Sequence, residues 1–574
     1  MFGGSKGAQF RSRPVAQRHL VRVKAPVYIV VSHFYGTRSH GAEKERLGAG
    51  GSRGILSVLV QLNVNDFLER AALVYPDRIA LVDEPGVPGA LGEITNLSLY
   101  RRARNMAKAL EDMGVGQGER VAIFSPNAGK MITSFYGVSG FGRIVVPINF
   151  RLTVDEVAYI VDHSGASVLL VDPEYEEMLA GIHVKEKIVM DGVRDRGLFE
   201  ELRDDQVGPS HWEADESFTC SINYTSGTTA RPKGVQLTHR NMWMDSVLFG
   251  LHTGVNENDV YLHTLPLFHV NGWGMPYVMS GLGGTHILLR KVDGETILER
   301  VETHGVTLMC GAPAVWAAVL QAGEKRRAAG RIIPGRDQVR VVAAGAPPPS
   351  RTIERIEEEL GWEFMQIYGL TETSPVLTFN KHRREWDGKP LAERAKLLSR
   401  AGTPIISNRI HVDANGEVLA KSNLVFDGYW ANPEATAEAI EDGWFHTGDG
   451  GYIEDGYLTI SDRKKDVIIT GGENVSSIEV EDAIFQHPAV QEVAVIGVPD
   501  EKWGETIKAL VVPKEGVEVT PEELIAFCRE RIAHYKCPTS VEFRSELART
   551  ATGKLQKFKL RAPYWEGRTR MVNG

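Results

Sequence analysis

Residues 224–234 read YTSGTTARPKG. Thr225, Ser226, Gly227, Thr228 and Thr229 stand together, and Lys233 follows. Hydroxyls and backbone N–H groups of such a loop can converge on phosphate oxygens, and a lysine adds a point charge. The preceding FTCSINY alternates Phe218, Cys220, Ile222 and Tyr224 with polar residues, which predicts a half-buried strand. The loop then leaves a strand end, where glycine permits close approach of backbone to ligand. A plain polar turn has the same composition. The ATP-binding ending Gly-Lys-Ser/Thr is absent, because Gly234 and Val235 follow the lysine. Four other segments hold chemically useful side chains: LPLFHVNGWG (265–274) has His269, Asn271 and Trp273; QIYGLTET (366–373) has Thr371 and Glu372; GWFHTGD (443–449) ends in Asp449; ARTATGKLQK (548–557) presents Lys554. Taken singly, these residues fit equally a core histidine, a surface acid, a turn aspartate and a solvated lysine.

The elements that must position them alternate between helix and strand. SLYRRARNMAKALEDMG carries Leu99, Ala103, Met106 and Leu110 on one helical stripe, with Gly114 as its stop. RVAIFSP, RIVVPIN and SVLLVD read as buried strands, TVDEVAYIVDHSG as a helix between them. After the loop GTHILLRK, VTLMCG and VRVVAAG read as strands and SRTIERIEEELG as a helix. The pattern is α/β layering around a mostly parallel sheet. Short strands and glycine turns from about 402 to 460 predict a smaller β unit. Beyond it, Ser476 with Glu479 and Thr520 with Glu523 are capping-box pairs, the second with Pro521 at the first helical position. Leu524, Phe527, Cys528, Ile532 and Tyr535 continue that second helix as an apolar stripe, and VQEVAVIGVPD is a strand between the two.

A chain of 574 residues, 43% hydrophobic and 24% charged, fits roughly two to four domains. Its net charge of −9 gives no footprint for nucleic acid or an anionic membrane. Cys220, Cys310, Cys528 and Cys537 show neither zinc spacing nor a disulfide framework, which points to a reducing compartment. No apolar run is long enough to span a bilayer. Through His40 there is no acidic residue, while Lys6, Arg11, Arg13, Arg18, Arg22, Lys24 and Arg38 are basic. Residues 1–58 are therefore expected to be an extension outside the folded domains, either an organelle-targeting segment or a start placed too far upstream; the default compartment is cytoplasmic.

Together and in this order, YTSGTTARPKG, YGLTE, HTGD, DRKKD and TATGK resemble the signature segments of the adenylate-forming (AMP-binding) superfamily, over about residues 64–561. That superfamily includes acyl-CoA synthetases, firefly luciferases and the adenylation domains of peptide synthetases. LPLFHVNGWGMPY looks most like medium- to long-chain acyl-CoA synthetases. The resemblance implies a large N-terminal domain of layered α/β sheets plus a small β unit (59–463), and a small mobile α+β C-terminal domain (464–574). It implies attack of a carboxylate on the α-phosphate of ATP, giving acyl-AMP and pyrophosphate, then attack of the CoA thiol on the acyl carbon with loss of AMP. Thr225, Ser226, Gly227, Thr228, Thr229 and Lys233 would cradle the β- and γ-phosphates. Glu372 would hold Mg²⁺, a hard cation that takes oxygen ligands. Thr371 would touch the α-phosphate, Tyr368 would stack on adenine, and Gly345 and Ala346 would line its pocket. Asp449 and Arg463 would hold the ribose, and Lys554 would bridge the acyl carboxylate and the α-phosphate. His269 joins Thr371, Glu372 and Lys554 in the catalytic set, and Trp273 and Gly274 line the acid's pocket. Lys465 falls at the hinge about which the C-terminal domain would rotate, bringing Gly471 and Gly472 to the pantetheine arm of CoA.

The sequence departs from the family pattern at Ala230, where glycine is usual, and at Ala548, where proline is common. A stretch around 408–418 is shorter than usual and lacks an extra hairpin, which puts the completeness of the small β unit in question. An acyl-AMP ligase loading a carrier protein would carry an insertion not seen here, and a non-catalytic nucleotide-binding homologue would not need Lys233, Glu372, Asp449, Arg463 and Lys554 together. The expected partners are a medium- or long-chain aliphatic acid, ATP and CoA, with no nucleic acid; a homodimer is the assembly left open.

Overall fold

The computed structural model describes residues 59–225, 232–345, 348–463, 466–470, 473–500, 503–549 and 555–566. From Gln61 onward they form one compact unit, and Leu59 and Val60 fall outside it. The expected extension at 1–58 and the hinge at Lys465 lie outside the described residues.

Two layered sheets make the large domain. In the nine-stranded sheet, Ile79–Val82, Thr285–Leu288, Val260–His263, Leu308–Gly311, Arg340–Ala343 and Glu363–Tyr368 run parallel in that spatial order. Antiparallel Glu93–Thr95 closes one edge, and Thr378–Lys381 with Thr403–Pro404 the other. The seven-stranded sheet orders Gly428–Tyr429, Lys233–Thr238, Thr219–Thr225, Ile144–Ile148, Arg120–Phe124, Ala166–Val171 and Glu186–Val189. Strands rich in Val, Ile and Leu with no polar alternation are what a parallel sheet covered on both faces requires. The helix Asn96–Asp112 buries Leu99, Ala103, Met106 and Leu110, as its stripe predicts, and Gly114 beyond it has a φ of 74°. The helix Val154–Ser164 starts on a capping box formed by Thr153 and Glu156 and stops at left-handed Gly165.

The strand Thr219–Thr225 departs from its expected half-burial. Its polar residues Ser221 and Asn223 are buried as fully as its apolar ones, because the strand lies inside the sheet with cover on both faces. They are tolerated because they are hydrogen-bonded: Asn223 Nδ2 donates to Ser221 Oγ at 2.8 Å, and Ser221 Oγ donates to Asn271 Oδ1 at 3.1 Å.

The small β unit is complete despite its shorter sequence. Arg409–Val412 and Glu417–Lys421 form a hairpin, and Trp444–Glu454, Ile440–Glu441 and Tyr457–Arg463 extend it to five strands. In the turn, Asp413 Oδ1 accepts from the backbone N–H groups of Asn415 and Glu417 at 2.9 and 2.7 Å.

The C-terminal α+β domain packs helices on the long ribbon Val490–Asp500 and Gly504–Pro513. Thr520 and Glu523 form their capping box, but the helix ends at Arg529, well before the stripe does, and Tyr535 is half exposed. Ser476 caps Ser477–Phe485, yet Glu479 does not complete the expected box; its carboxylate binds Lys536 Nζ at 2.8 Å. No described helix is long and apolar enough to cross a membrane. The two domains touch where Asp482 Oδ1 accepts from the Ser350 N–H at 2.8 Å, capping the helix Ser350–Arg355. Asp482→Ala should weaken that helix end by about 1 kcal/mol, read as faster amide exchange at Ser350. Unchanged exchange would mean that other groups hold it.

Candidate active site

In open α/β sheets, ligands bind outside the carboxyl ends of parallel strands, and several of the described candidate residues follow such ends. Val260–His263 leads to the segment with His269 and Trp273, Arg340–Ala343 leads to Gly345, and Glu363–Tyr368 leads to the 3₁₀ turn Thr371–Thr373. Thr225 ends its strand in the other sheet. Asn127, just past Arg120–Phe124, ties the two sheets at this edge: its Nδ2 donates to the carbonyls of His263 and Leu265, and its Oδ1 accepts from Leu267 N–H at 2.7 Å.

The expected phosphate loop is held at its neck. Thr225 and Lys233 face each other across an antiparallel ladder, as do Tyr224 and Gly234. Ser226, Gly227, Thr228 and Thr229 lie outside the described residues. The Lys233 ammonium stands 4.8 Å from the ring centroid of Tyr429, a favourable cation–π position. The Tyr429 hydroxyl donates to Glu372 Oε1 at 2.8 Å, and the Phe426 N–H donates to the Glu372 carbonyl. Burial, then the Glu372 charge, pushes the Tyr429 phenol up, so it remains a neutral donor. One tyrosine thus touches both the loop's cation and the expected metal-binding carboxylate. A Mg²⁺ shared with substrate phosphates needs only one or two protein carboxylates, and Glu372, anchored beside Lys233, fits that demand. No cluster of three or more metal-ligating side chains exists among the described residues.

The residues expected at the nucleoside end are similarly linked. Tyr368 Oη donates to Asp449 Oδ2 at 2.9 Å. Asp449 lies within the strand Trp444–Glu454, where its Cα partner on the next strand is Arg463. Glu417 braces this strand: Oε1 accepts from the Gly448 N–H at 3.0 Å, and Oε2 lies 3.4 Å from His446 Nδ1. Gly369 follows Tyr368 because a Cβ there would lie 1.6 Å from the Pro375 carbonyl oxygen. Only glycine lets the chain turn back and present Thr371 and Glu372 beside Tyr368. Gly345, with φ of 88°, opens the neighbouring loop; Ala346 lies outside the described residues.

His269 is half-buried, at the start of a short turn that buries Trp273 and Gly274. Trp273 packs against Phe249, with ring centroids 6.4 Å apart. On the C-terminal domain, Lys554, Gly471 and Gly472 lie outside the described residues. The loop holding Lys554 is closed by an Arg549–Leu555 bridge, and Arg549 Nη2 pairs with Glu492 at 2.7 Å. Tyr429, Asn127 and Glu417 are the supporting residues that sequence reading misses. FDGYW, SPNAG and NGEVLA hold them, but their roles depend on partners 57, 136 and 31 positions away.

Comparison with known proteins identifies the family. Residues 68–430 match the AMP-binding enzyme family and 479–554 the AMP-binding enzyme C-terminal domain. The 4-hydroxybutyrate–CoA ligase 2 of Metallosphaera sedula is 38% identical over 524 residues, covering 86% of this chain and 93% of its own. The 2-methylpropanoate–CoA ligase of Humulus lupulus is 35% identical over 547 residues, covering 86% and 94%. The crystal structure of an anthranilate CoA ligase in complex with anthranoyl-AMP superimposes with a TM-score of 0.78 at 26% identity, covering 88% of this chain and 98% of that one. The chain belongs to the AMP-binding enzyme family of the adenylate-forming superfamily and is an AMP-forming acid–CoA ligase.

Proposed function

We propose that the acid is short, with about four carbons, and that the residues assembled above carry the roles that the sequence motifs imply. The observation that carries the substrate reading is the pair of relatives above, whose names give 4-hydroxybutyrate and 2-methylpropanoate, both four-carbon acids. The buried Trp273 beside Phe249 supports it, because a filled apolar floor suits a short acyl group better than the medium- or long-chain one suggested by LPLFHVNGWG.

In the first step a carboxylate anion approaches a triphosphate anion. Catalysis then consists mainly of orientation and of charge held in advance where it will develop. Lys233 and the loop from Thr225 face the β- and γ-phosphates; Glu372, fixed by Tyr429, holds Mg²⁺, which supplies charge neutralisation when bound. Tyr368 and Asp449 seat the adenosine, with Gly345 at the base's edge. Thr371 and His269 flank the reacting carboxylate and α-phosphate, and Lys554 bridges them. The acyl-oxygen–phosphorus bond forms as the bond to pyrophosphate breaks. In the second step the CoA sulfur attacks the acyl carbon, AMP leaves, and Gly471 and Gly472 border the pantetheine. Residues 59–463 and 464–574 are the two moving bodies, with Lys465 at the hinge.

Pyrophosphate release measured with straight and branched acids from two to twelve carbons, with and without CoA, tests the substrate reading. The highest kcat/KM is expected near four carbons, with CoA needed for sustained turnover. A maximum at eight carbons or more would overturn it. Lys554→Ala tests the division of labour. Adenylation should fall about a hundredfold or more, while CoA ester formation from supplied acyl-AMP keeps its rate. Equal loss in both half-reactions would remove Lys554 from the first step.

A further inference from the structure

Asp245 lies in the middle of the helix His239–Thr253 and is 0% exposed, with Met242, Leu248 and Phe249 buried on the same helix. Neither carboxyl oxygen has a hydrogen-bond partner of ordinary geometry among the described residues. Burial pushes this carboxyl well above its usual range, with only the Val376 backbone favouring the charged form. Burial thus favours its neutral form, which can both donate and accept. A leucine would be the stable choice in such surroundings, since an unsatisfied buried polar group costs about 1–3 kcal/mol.

Its position relates this cost to the site. A Cβ at residue 274 would lie 2.6 Å from Asp245 Oδ2, so the carboxyl lies against Gly274. Val376, whose backbone also approaches the carboxyl, follows the Thr371–Thr373 turn in the chain. Asp245 thus joins the segment read as the acid's pocket to the segment that presents Thr371 and Glu372. The first of these is itself strained. Val270, Asn271, Gly272, Trp273 and Gly274 all have positive φ, at 37°, 39°, 63°, 54° and 70°. Left-handed conformations of non-glycine residues cost about 1–3 kcal/mol each and persist where the surroundings over-determine them, commonly at ligand sites. Two independent unfavourable features, an unpartnered buried carboxyl and a strained turn, meet at one point.

We propose that Asp245 is a specificity-determining residue whose carboxyl hydrogen-bonds an uncharged hydroxyl at the far end of the substrate, so that the enzyme selects a short hydroxy acid over the plain alkanoic acid. This rests on the reading of Trp273 and Gly274 as the acid's pocket. A site that makes such a bond discriminates strongly against an analogue lacking the hydroxyl, because the protein group is then left unpaired.

The test compares butanoate with 4-hydroxybutanoate in CoA-dependent pyrophosphate release by wild type, Asp245→Leu and Asp245→Ala, with the melting temperature of each. The wild type should favour 4-hydroxybutanoate at least tenfold in kcat/KM. Asp245→Leu should lose that preference by ten- to a hundredfold, keep or gain rate with butanoate, and leave the KM for ATP unchanged. Should Asp245→Leu not fold, Asp245→Ala decides by the same ratio. A wild type that favours butanoate, or a ratio unchanged in the variants, overturns the proposal. So does a large fall in melting temperature with the ratio intact, which would give Asp245 a purely structural role. A wild type that releases no pyrophosphate with any acid across the two- to twelve-carbon panel would instead overturn the proposed short-acid reading itself.

Discussion

The site depends on Tyr429 holding two charges that arrive on different sheets. Lys233 begins a strand of the seven-stranded sheet, whereas Glu372 sits on the turn that ends a strand of the nine-stranded one. Nothing in either sheet's own ladder sets the distance between them. The two-residue strand Gly428–Tyr429 does so, because it pairs with Lys233–Thr238 while its phenol reaches Glu372. The ring face receives the ammonium and the hydroxyl binds the carboxylate, so both charges are partnered before any triphosphate binds. Preorganisation of this kind is what lets fixed charges act at a transition state without reorganising then.

The same economy appears elsewhere. The loops proposed to carry the chemistry are tethered at their necks by backbone pairing, Thr225 with Lys233 in a ladder and Arg549 with Leu555 in a single bridge. Asn127 closes the seam between the sheets at the His263–Leu267 segment. Tyr368 and Asp449 meet although one ends a strand of the large sheet and the other lies inside the small β unit. The Asn127 and Tyr368 bonds cross from one layer to another, so the site is a property of the assembled layers. The domain contact through Asp482 extends the pattern to the C-terminal domain.

Much of this was legible in the sequence where the signal is local. The 3.6-residue stripe at Leu99, Ala103, Met106 and Leu110, the continuous apolar strands, and the motif residues around Thr225, Glu372 and Asp449 all depend on neighbours in the chain. What was illegible depends on tertiary context. Alternation in FTCSINY implied a half-exposed strand, but its polar side chains find partners in a covered sheet. The stripe through Tyr535 outlasts its helix, which stops at Arg529. Glu479 has the spacing of a capping box, yet an ion pair with Lys536 takes its carboxylate. A shortened 408–418 stretch still closes a hairpin, because Asp413 supplies the turn's hydrogen bonds locally. Tyr429 and Asp245 carry no motif at all.

A double-mutant cycle on Tyr429→Phe and Glu372→Gln, read in acid-dependent exchange of pyrophosphate into ATP, measures the coupling directly. If Tyr429 acts by fixing Glu372, the two losses overlap, and the double variant falls short of their product by a coupling of about 1–3 kcal/mol. Losses that simply multiply would mean that the phenol and the carboxylate act independently, and that the two sheets are registered by something other than this contact.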